Sequence, residues 1–153
     1  MKEDTMKRIL WILAAIGVSL VAGAVLLGAE GPDKAAEERA RKAAGEAAQS
    51  WLAVVDGGEY PKSWSAASAL FQKQLTADQW EKTVRGVREQ LGKLVSRKPA
   101  SAEYSRTLPG APDGEYIVAR YTSAFENKKE ATETVVLMAE KDGSWKVAGY
   151  FIK

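Results

Sequence analysis

The sequence of 153 residues predicts an α+β fold, with an N-terminal membrane helix followed by three helices packed on a four-stranded antiparallel meander sheet. Three observations support this prediction. Residues 9–29 contain no charged side chain. Between Pro32 and Gly92, apolar residues recur at three- and four-residue steps, which is the period of a helix. Beyond Gly92 apolar and polar residues alternate, which is the period of a strand, and short polar turns separate the alternating segments.

The N-terminal segment has the length of a membrane helix. Residues Ile9 to Ala29 give about 30 Å of helix, which matches the hydrocarbon core of a bilayer. Lys7 and Arg8 precede the segment, and positively charged flanks remain in the cytoplasm. We therefore expect a single-pass anchor in the cytoplasmic membrane, with the C-terminal domain outside, in the periplasm of a two-membrane bacterium. The small-residue sequence AGA at 22–24 leaves an alternative, a signal segment that is cleaved to release the domain into the periplasm.

The first predicted helix after this segment begins at Pro32 and ends at Gly57 or Gly58, where glycine supplies a left-handed cap. Its first half is rich in Ala, Glu, Lys and Arg, which form solvated helices, and we interpret it as a stalk. A second, short helix begins at Pro61, since proline is tolerated in a first helical turn. The predicted organisation is a cytoplasmic segment (1–8), an anchor or signal (9–29), a helical stalk (30–43) and an α+β domain (44–153).

The third predicted helix begins at Thr76, which has the spacing of a capping box to Gln79. It ends near Gly92. Its apolar residues follow four-, three- and four-residue steps, so we expect one face of this helix to be buried against the sheet. The residues expected on that face are Trp80, Val84, Val87 and Leu91.

The C-terminal part predicts four strands joined by short turns, of which Asp142-Gly143 is a strong hairpin signal. The connection LPGAPDGEY, residues 108–116, contains Pro109-Gly110, which suits a type II turn. Two interpretations of this connection stay open: a rigid link at the sheet edge, and a lip over a pocket. Helices followed by such a sheet are the plan of cystatin-like and nuclear-transport-factor-2-like domains, an analogy that implies no function.

From about Ala44 onward, the chain resembles the bacterial "domain of unknown function 4019" family. The stretches that carry the resemblance are SWLAVVDGGEYPKSWSAASALF, LPGAPDGEY, ETVVL and WKVAGYFIK, in the same order and at fitting spacings. They span about two thirds of the protein. The resemblance implies a small protein with an exported N-terminal segment. It implies no activity and supplies no catalytic residues.

The composition excludes several chemistries. The chain has no cysteine and no histidine, so it lacks a thiolate nucleophile, the commonest general base and the usual ligands of transition metals. Metalloprotease, serine-hydrolase, Walker and EF-hand motifs are also missing from the sequence. We therefore expect no metal and no cofactor. A net charge of +2 is too small to indicate nucleic-acid binding.

Glu133 is the most unusual polar residue of the predicted sheet, because alternation places it on the same face as Val135 and Leu137. A buried carboxylate needs a partner, and Arg120 and Arg97 are candidates. One hypothesis is a low-dielectric site in which Glu133, Arg120 and Tyr121 bind a ligand. The alternative is a structural ion pair. A pairing of Arg120 with Glu133 conflicts with alternation, since Arg120 points the opposite way to Tyr121 on a regular strand.

A basic group follows the third helix and the first strand. It consists of Lys82, Arg85, Arg88, Lys93, Arg97 and Lys98. It is interpreted either as a contact for anionic lipid headgroups or cell-wall phosphates, or as the solvated face of the helix.

Three functions stay open. The first is an envelope-facing, membrane-anchored module that binds a partner protein or a small ligand without catalysis. The second is a small isomerase or hydrolase that uses Glu133 as a base in a curled-sheet pocket. The third is a structural or assembly role in the cell envelope. The absence of other catalytic residue types favours the first.

Overall fold

The computed structural model of the protein describes residues 32–153. The predicted anchor, Ile9 to Ala29, lies outside this range, and none of the described helices has the length and apolar character needed to cross a bilayer. The described part forms four helices and then four strands. Their bounds are α1 Pro32–Asp56, α2 Tyr60–Ala66, α3 Ala69–Gln74, α4 Ala77–Leu91, β1 Leu94–Ser105, β2 Tyr116–Phe125, β3 Lys128–Ala139 and β4 Trp145–Ile152.

The second predicted helix is divided into α2 and α3 in the structure, so the prediction of three helices is wrong by one break. Ser68 interrupts the helix with an extended backbone, φ −66° and ψ 158°. Its hydroxyl accepts a hydrogen bond from the Phe71 amide and caps α3, while its own amide donates to the Val147 carbonyl in β4. Serine competes with helical hydrogen bonding in this way, and here it also ties the helices to the sheet.

The ends of α4 agree with the sequence. Thr76 and Gln79 form the predicted capping box, in which each side chain accepts a hydrogen bond from the other residue's backbone. Gly92 ends the helix with a φ of 75°. A Cβ at this position would come within 3.0 Å of the Glu126 side chain, so both the backbone and the space require glycine.

The sheet is the predicted antiparallel meander, with the order β1-β2-β3-β4. Register shifts interrupt β1 near residues 95 and 100, and another shift lies between β3 and β4. The residues of α1 and those of the inner face of the sheet form one apolar cluster. Its buried members include Leu52, Val55, Ile117, Val135 and Leu137. Every second residue of β2 and β3 therefore points toward α1.

The buried face of α4 differs from the predicted one. Trp80 and Val84 are buried, as expected, but Val87 is 41% exposed and the prediction for it is wrong. Arg88 is buried in its place, with 7% exposure. Steps of four from Trp80 reach Arg88, and the ion pairs of that residue compensate for its burial.

The connection between β1 and β2 contains the predicted type II turn, with Gly110 at a φ of 77° and a hydrogen bond from the Ala111 amide to the Leu108 carbonyl. Leu108 and Ala111 pack with Tyr116 and Val136 in a second apolar cluster. Val136 alternates with the residues that point toward α1, so this cluster covers the outer face of the sheet. The connection is therefore not a lip over Glu133, which lies on the inner face.

Candidate functional site

Glu133 is fully buried on the inner face of β3, as the alternation predicts. Four hydrogen bonds reach its two carboxylate oxygens. Arg97 of β1 donates two of them, from Nε at 2.6 Å and from Nη2 at 3.0 Å. Ser123 of β2 donates the third at 2.5 Å, and the Tyr150 hydroxyl of β4 donates the fourth. A carboxylate offers about four lone-pair positions, so the hydrogen-bonding capacity of Glu133 is filled.

Asp56 and Arg88 extend this arrangement into a cluster of four charges, two acidic and two basic, with Arg97 and Glu133. Asp56, the last residue of α1, accepts hydrogen bonds from Arg88 at 2.7 Å and from Arg97 at 2.7 and 3.0 Å. A carboxylate at a helix C-terminus is unfavourable on its own, and the two guanidinium groups offset that cost. Together with Ser123 and Tyr150, this charge cluster links α1, α4 and all four strands.

The surroundings of the charge cluster shift the pKa values of Tyr150 and Arg97. Burial raises the pKa of Tyr150 well above its ordinary value of 10.0, and the negative charge of Glu133 raises it further. Tyr150 is therefore a neutral hydrogen-bond donor. Burial alone lowers the pKa of Arg97, but the hydrogen bonds to Asp56 and Glu133 outweigh burial and raise it. Both Tyr150 and Arg97 thus keep their protons at neutral pH.

Arg88 has one unusual feature. Its Nη1 atom is buried and makes no hydrogen bond to the described residues. This nitrogen lies 3.9 Å from Glu133 Oε1, and the guanidinium stacks 4.9 Å from the centre of the Phe125 ring. The ring's negative face partly compensates for the missing hydrogen bond.

Of the three residues predicted as a ligand site, the structure brings two together. Tyr121 is the direct cross-strand partner of Glu133 and is buried beside it. Arg120 points to the outer face and pairs with Glu103 and Ser101 of β1, so its predicted pairing with Glu133 is wrong. The physical reason is the alternation of side chains along β2, which no register shift interrupts at Arg120. The other candidate partner, Arg97, does pair with Glu133.

A groove of about 290 Å³ lies next to Tyr121, between α1 and the first two strands. It exists because α1 leaves part of the inner side of β1 uncovered, at Pro99 and Ala102, which are exposed. The Arg41 side chain crosses from α1 to the Ala102 carbonyl, with a 3.2 Å hydrogen bond. The lining residues are Arg41, Gly45, Gln49, Pro99, Ala100, Ser101, Ala102, Ile117, Ala119, Arg120 and Tyr121. We refer to this feature as the α1–β1 groove.

Sequence patterns did not identify Asp56, Ser123 and Tyr150 as partners of Glu133. Ser123 shares the face of Tyr121 by alternation, which is a signal that could have found it. Tyr150 faces inward beside Val135 in the register of β3 and β4, but a shift between these strands obscures that register in the sequence. Asp56 lies at a helix end, and its position depends on how α1 docks on the sheet.

The predicted basic group does not form one surface. Arg88 and Arg97 belong to the charge cluster, and Arg85 pairs with Glu81 at 2.5 Å. Within residues 32–153, no group of three or more carboxylate, histidine or cysteine side chains is arranged to hold a metal ion.

These features define a class of protein: a small α+β domain with a helix across an antiparallel meander, a buried charge cluster at one end of that helix and an open groove along its side. Residues 47–150, about two thirds of the chain, match the family model described as "Protein of unknown function (DUF4019)". The chain belongs to this family. Comparisons with curated proteins and with solved structures gave no match.

Proposed function

We propose that this protein is a non-enzymatic binding module that holds a small ligand in the α1–β1 groove, on the outer side of the cytoplasmic membrane. The observation that carries the proposal is the composition of the groove. Its lining combines apolar side chains with a tyrosine, a serine, a glutamine and two arginines, and it contains no carboxylate, lysine, histidine or cysteine. Such a surface can bind and orient a molecule, but it lacks the usual general bases, so its serine, Ser101, has no base to activate it as a nucleophile.

The competing hypothesis of an isomerase or hydrolase has less support. It requires Glu133 to accept a proton from a substrate, whereas this carboxylate has no exposed surface and already accepts four hydrogen bonds. A substrate would have to displace Arg97, Ser123 or Tyr150, and would leave a buried partner unsatisfied. The third hypothesis, an assembly role, predicts no small ligand and is an outcome of the test below.

The location in the proposal rests on the uncharged segment Ile9 to Ala29 and on Lys7 and Arg8 before it. We expect the mature protein to retain its N-terminus and the domain to be cut by protease added to spheroplasts. N-terminal sequencing of protein recovered from the cell envelope checks the first expectation. A mature N-terminus between residues 25 and 31 would show a cleaved signal and overturn the anchor, while leaving the binding proposal in place.

We also propose that the domain follows the cystatin-like or nuclear-transport-factor-2-like plan, in which a sheet curls around a helix. Support comes from the element order and from α1, which packs across all four strands of the meander. An experimental structure with a different strand connectivity would contradict the plan. The plan implies no ligand.

The experiment that tests binding uses the full-length chain, expressed in its own membrane and extracted under mild conditions. Small molecules that copurify are identified by mass spectrometry and compared with those from two variants, Gly45→Leu and Gly86→Leu. Gly45 lines the groove, whereas Gly86 is an exposed glycine of α4 outside it. A Cβ at either position meets no atom within 4 Å, so the variants are matched.

We expect one class of molecule to be enriched with the wild type and with Gly86→Leu, and to be absent from Gly45→Leu. This molecule is then incubated with fresh protein. If it is recovered unchanged, the result supports binding, and if it is converted to a product, the result supports the enzyme hypothesis. If the three proteins carry the same molecules, the groove holds no ligand in the cell and the proposal is wrong.

A further inference from the structure

The hydroxyl of Tyr121 is the first of two features of the α1–β1 groove that the fold does not explain. Tyr121 is only 4% exposed, yet its hydroxyl makes no hydrogen bond to any residue in the range 32–153. In contrast, the Tyr116 hydroxyl donates to the Pro112 carbonyl, and the Tyr150 hydroxyl donates to Glu133. The Tyr121 hydroxyl is not sealed from solvent in the way that the unpaired Arg88 Nη1 atom is, and its residue lines the groove. An accessible hydroxyl without a protein partner can form a hydrogen bond with a ligand.

Gly45 is the second feature. It lies in the interior of α1, where glycine is less favourable than alanine because it loses more backbone freedom. Its φ is not positive, and a Cβ there would meet no atom within 4 Å. Neither the backbone nor close packing requires a glycine. The effect of the missing side chain is to leave the groove open on its helical side.

The charged side chains near the groove already have partners, and this disfavours a charged ligand. Arg41 pairs with Glu37 at 2.8 Å, and its Nε donates to the Ala102 carbonyl. The Arg120 guanidinium lies on the outer face of the sheet, where it pairs with Glu103. An anionic ligand would have to compete with Glu37 for Arg41, and a cationic ligand would meet no carboxylate in the lining. The polar lining side chains that are neutral and make no hydrogen bond to residues 32–153 are the Tyr121 phenol and the exposed Gln49 amide.

We infer that the α1–β1 groove binds an uncharged amphipathic small molecule, with its apolar body against Pro99 and Ala102 and one oxygen hydrogen-bonded to the Tyr121 hydroxyl. This inference rests on the proposed function and adds the class of ligand to it. Pro99 and Ala102 are exposed apolar residues of the lining, whereas Ile117 and Ala119 are buried and offer almost no surface to a ligand. The volume of about 290 Å³ is at the lower end of small-molecule pockets.

Three water-soluble probes test whether the groove prefers a neutral or a charged ligand: cyclohexanol, cyclohexanecarboxylate and cyclohexylammonium. They share the same apolar ring and differ in the charge of the polar group. Binding to the full-length chain in nanodiscs is measured by saturation-transfer NMR, with empty nanodiscs as the blank for partition into lipid. We expect saturable binding of cyclohexanol, and binding of both ions weaker by about tenfold or more, because the groove offers no unpaired counter-charge.

Variants locate the binding. Gly45→Leu fills the groove and is expected to abolish cyclohexanol binding, while the matched control Gly86→Leu leaves it unchanged. Tyr121→Phe removes the hydroxyl and is expected to weaken cyclohexanol binding by up to about tenfold, the value of one typical hydrogen bond. Because this hydroxyl has no protein partner within the described residues, the variant should fold as the wild type does.

Three results would overturn the inference: no saturable binding of cyclohexanol, equal binding by Gly45→Leu, or tighter binding of either ion. These results are distinguishable from failure of the proposed function. If wild-type protein still enriches a cellular molecule that Gly45→Leu does not, the groove is a binding site whose ligand belongs to another chemical class.

Discussion

Glu133 and Tyr121 are direct cross-strand partners on the same face of the sheet, but their hydrogen bonding is opposite. Four donors from three other strands surround the Glu133 carboxylate. The Tyr121 side chain is 4% exposed, and its hydroxyl is not sealed from solvent and has no hydrogen-bond partner in the described part of the chain. A buried polar group that makes all its hydrogen bonds within its own chain stabilises the fold. A polar group without a hydrogen-bond partner beside an open groove is available to a ligand. The predictions below test this contrast.

The largest effect is expected at Glu133. Glu133→Gln keeps the size of the side chain but removes the negative charge that Arg97 and Arg88 face in the interior. Breaking a buried pair in this way costs about 3 to 5 kcal/mol of the free energy of unfolding, because an uncompensated charge stays buried. Urea unfolding measures the loss.

The control for that prediction is Glu103→Gln, which breaks the pair with Arg120 on the outer face. The Glu103 side chain is 59% exposed, so the loss should stay within about 1 kcal/mol. If both variants lose the same small amount, Glu133 is not a structural charge and the contrast with Tyr121 disappears.

The second prediction compares two tyrosines. Tyr150→Phe removes a hydrogen bond to a buried carboxylate and should lower the free energy of unfolding by about 1.5 to 3 kcal/mol. Tyr121→Phe removes a hydroxyl that has no hydrogen-bond partner within residues 32–153, and it should change the free energy of unfolding by no more than about 0.5 kcal/mol. Chemical denaturation of both variants under one condition gives the comparison. A large loss for Tyr121→Phe would mean that its hydroxyl has a structural partner after all.

The third prediction concerns alkaline pH. The folded-state pKa of Tyr150 is raised above 10.0, so the folded protein holds this proton where the unfolded chain releases it. The stability contributed by Tyr150 is fully present below pH 10 and falls as the pH rises above it, by up to about 1.4 kcal/mol per pH unit. Burial raises the pKa of Tyr121 as well, so its contribution has the same sign.

Unfolding by urea at several values between pH 8 and pH 11 checks this dependence. Tyr150→Phe should show a shallower decline above pH 10 than the wild type. Equal slopes for the two proteins would show that Tyr150 ionises normally in the folded state, which contradicts its position against Glu133.

The sequence predicted the parts of this fold that depend on local periodicity. Alternation placed Glu133 inside and gave the four strands, and the capping pair located the start of α4. Alternation also indicated that Arg120 points away from Glu133. In the structure Arg120 does point away and pairs with Glu103, so the hypothesis that it pairs with Glu133 is wrong. Local patterns are sufficient where one face of an element is buried and the other is solvated.

The rest depends on how elements dock, which a local pattern does not contain. Asp56 meets Arg97 across 41 residues of chain because the end of α1 lies over the start of the sheet. Arg88 is buried instead of Val87 because of the same charge cluster. An arginine on the buried face of α4 is stable only when carboxylates pair with its charge, and Asp56 does so here. The break at Ser68 depends on a hydrogen bond to β4, which is also a tertiary contact.

A small gain in stability is expected at Gly45, and it tests the α1–β1 groove. Gly45→Ala should raise the free energy of unfolding by about 0.5 to 1 kcal/mol, because alanine restricts the unfolded chain and its methyl group meets no atom within 4 Å. Gly86→Ala in α4 should give a gain of the same size, and the gains should add because the sites are independent. Thermal and urea unfolding of the two single variants and the double variant measure this. A loss for Gly45→Ala beside a gain for Gly86→Ala would mean that α1 approaches β1 closely enough to need the glycine. In that case Gly45 is needed for close packing of α1 on β1, and its missing side chain does not keep the groove open. The contrast between the fully hydrogen-bonded charge cluster and a groove available to a ligand would then be wrong.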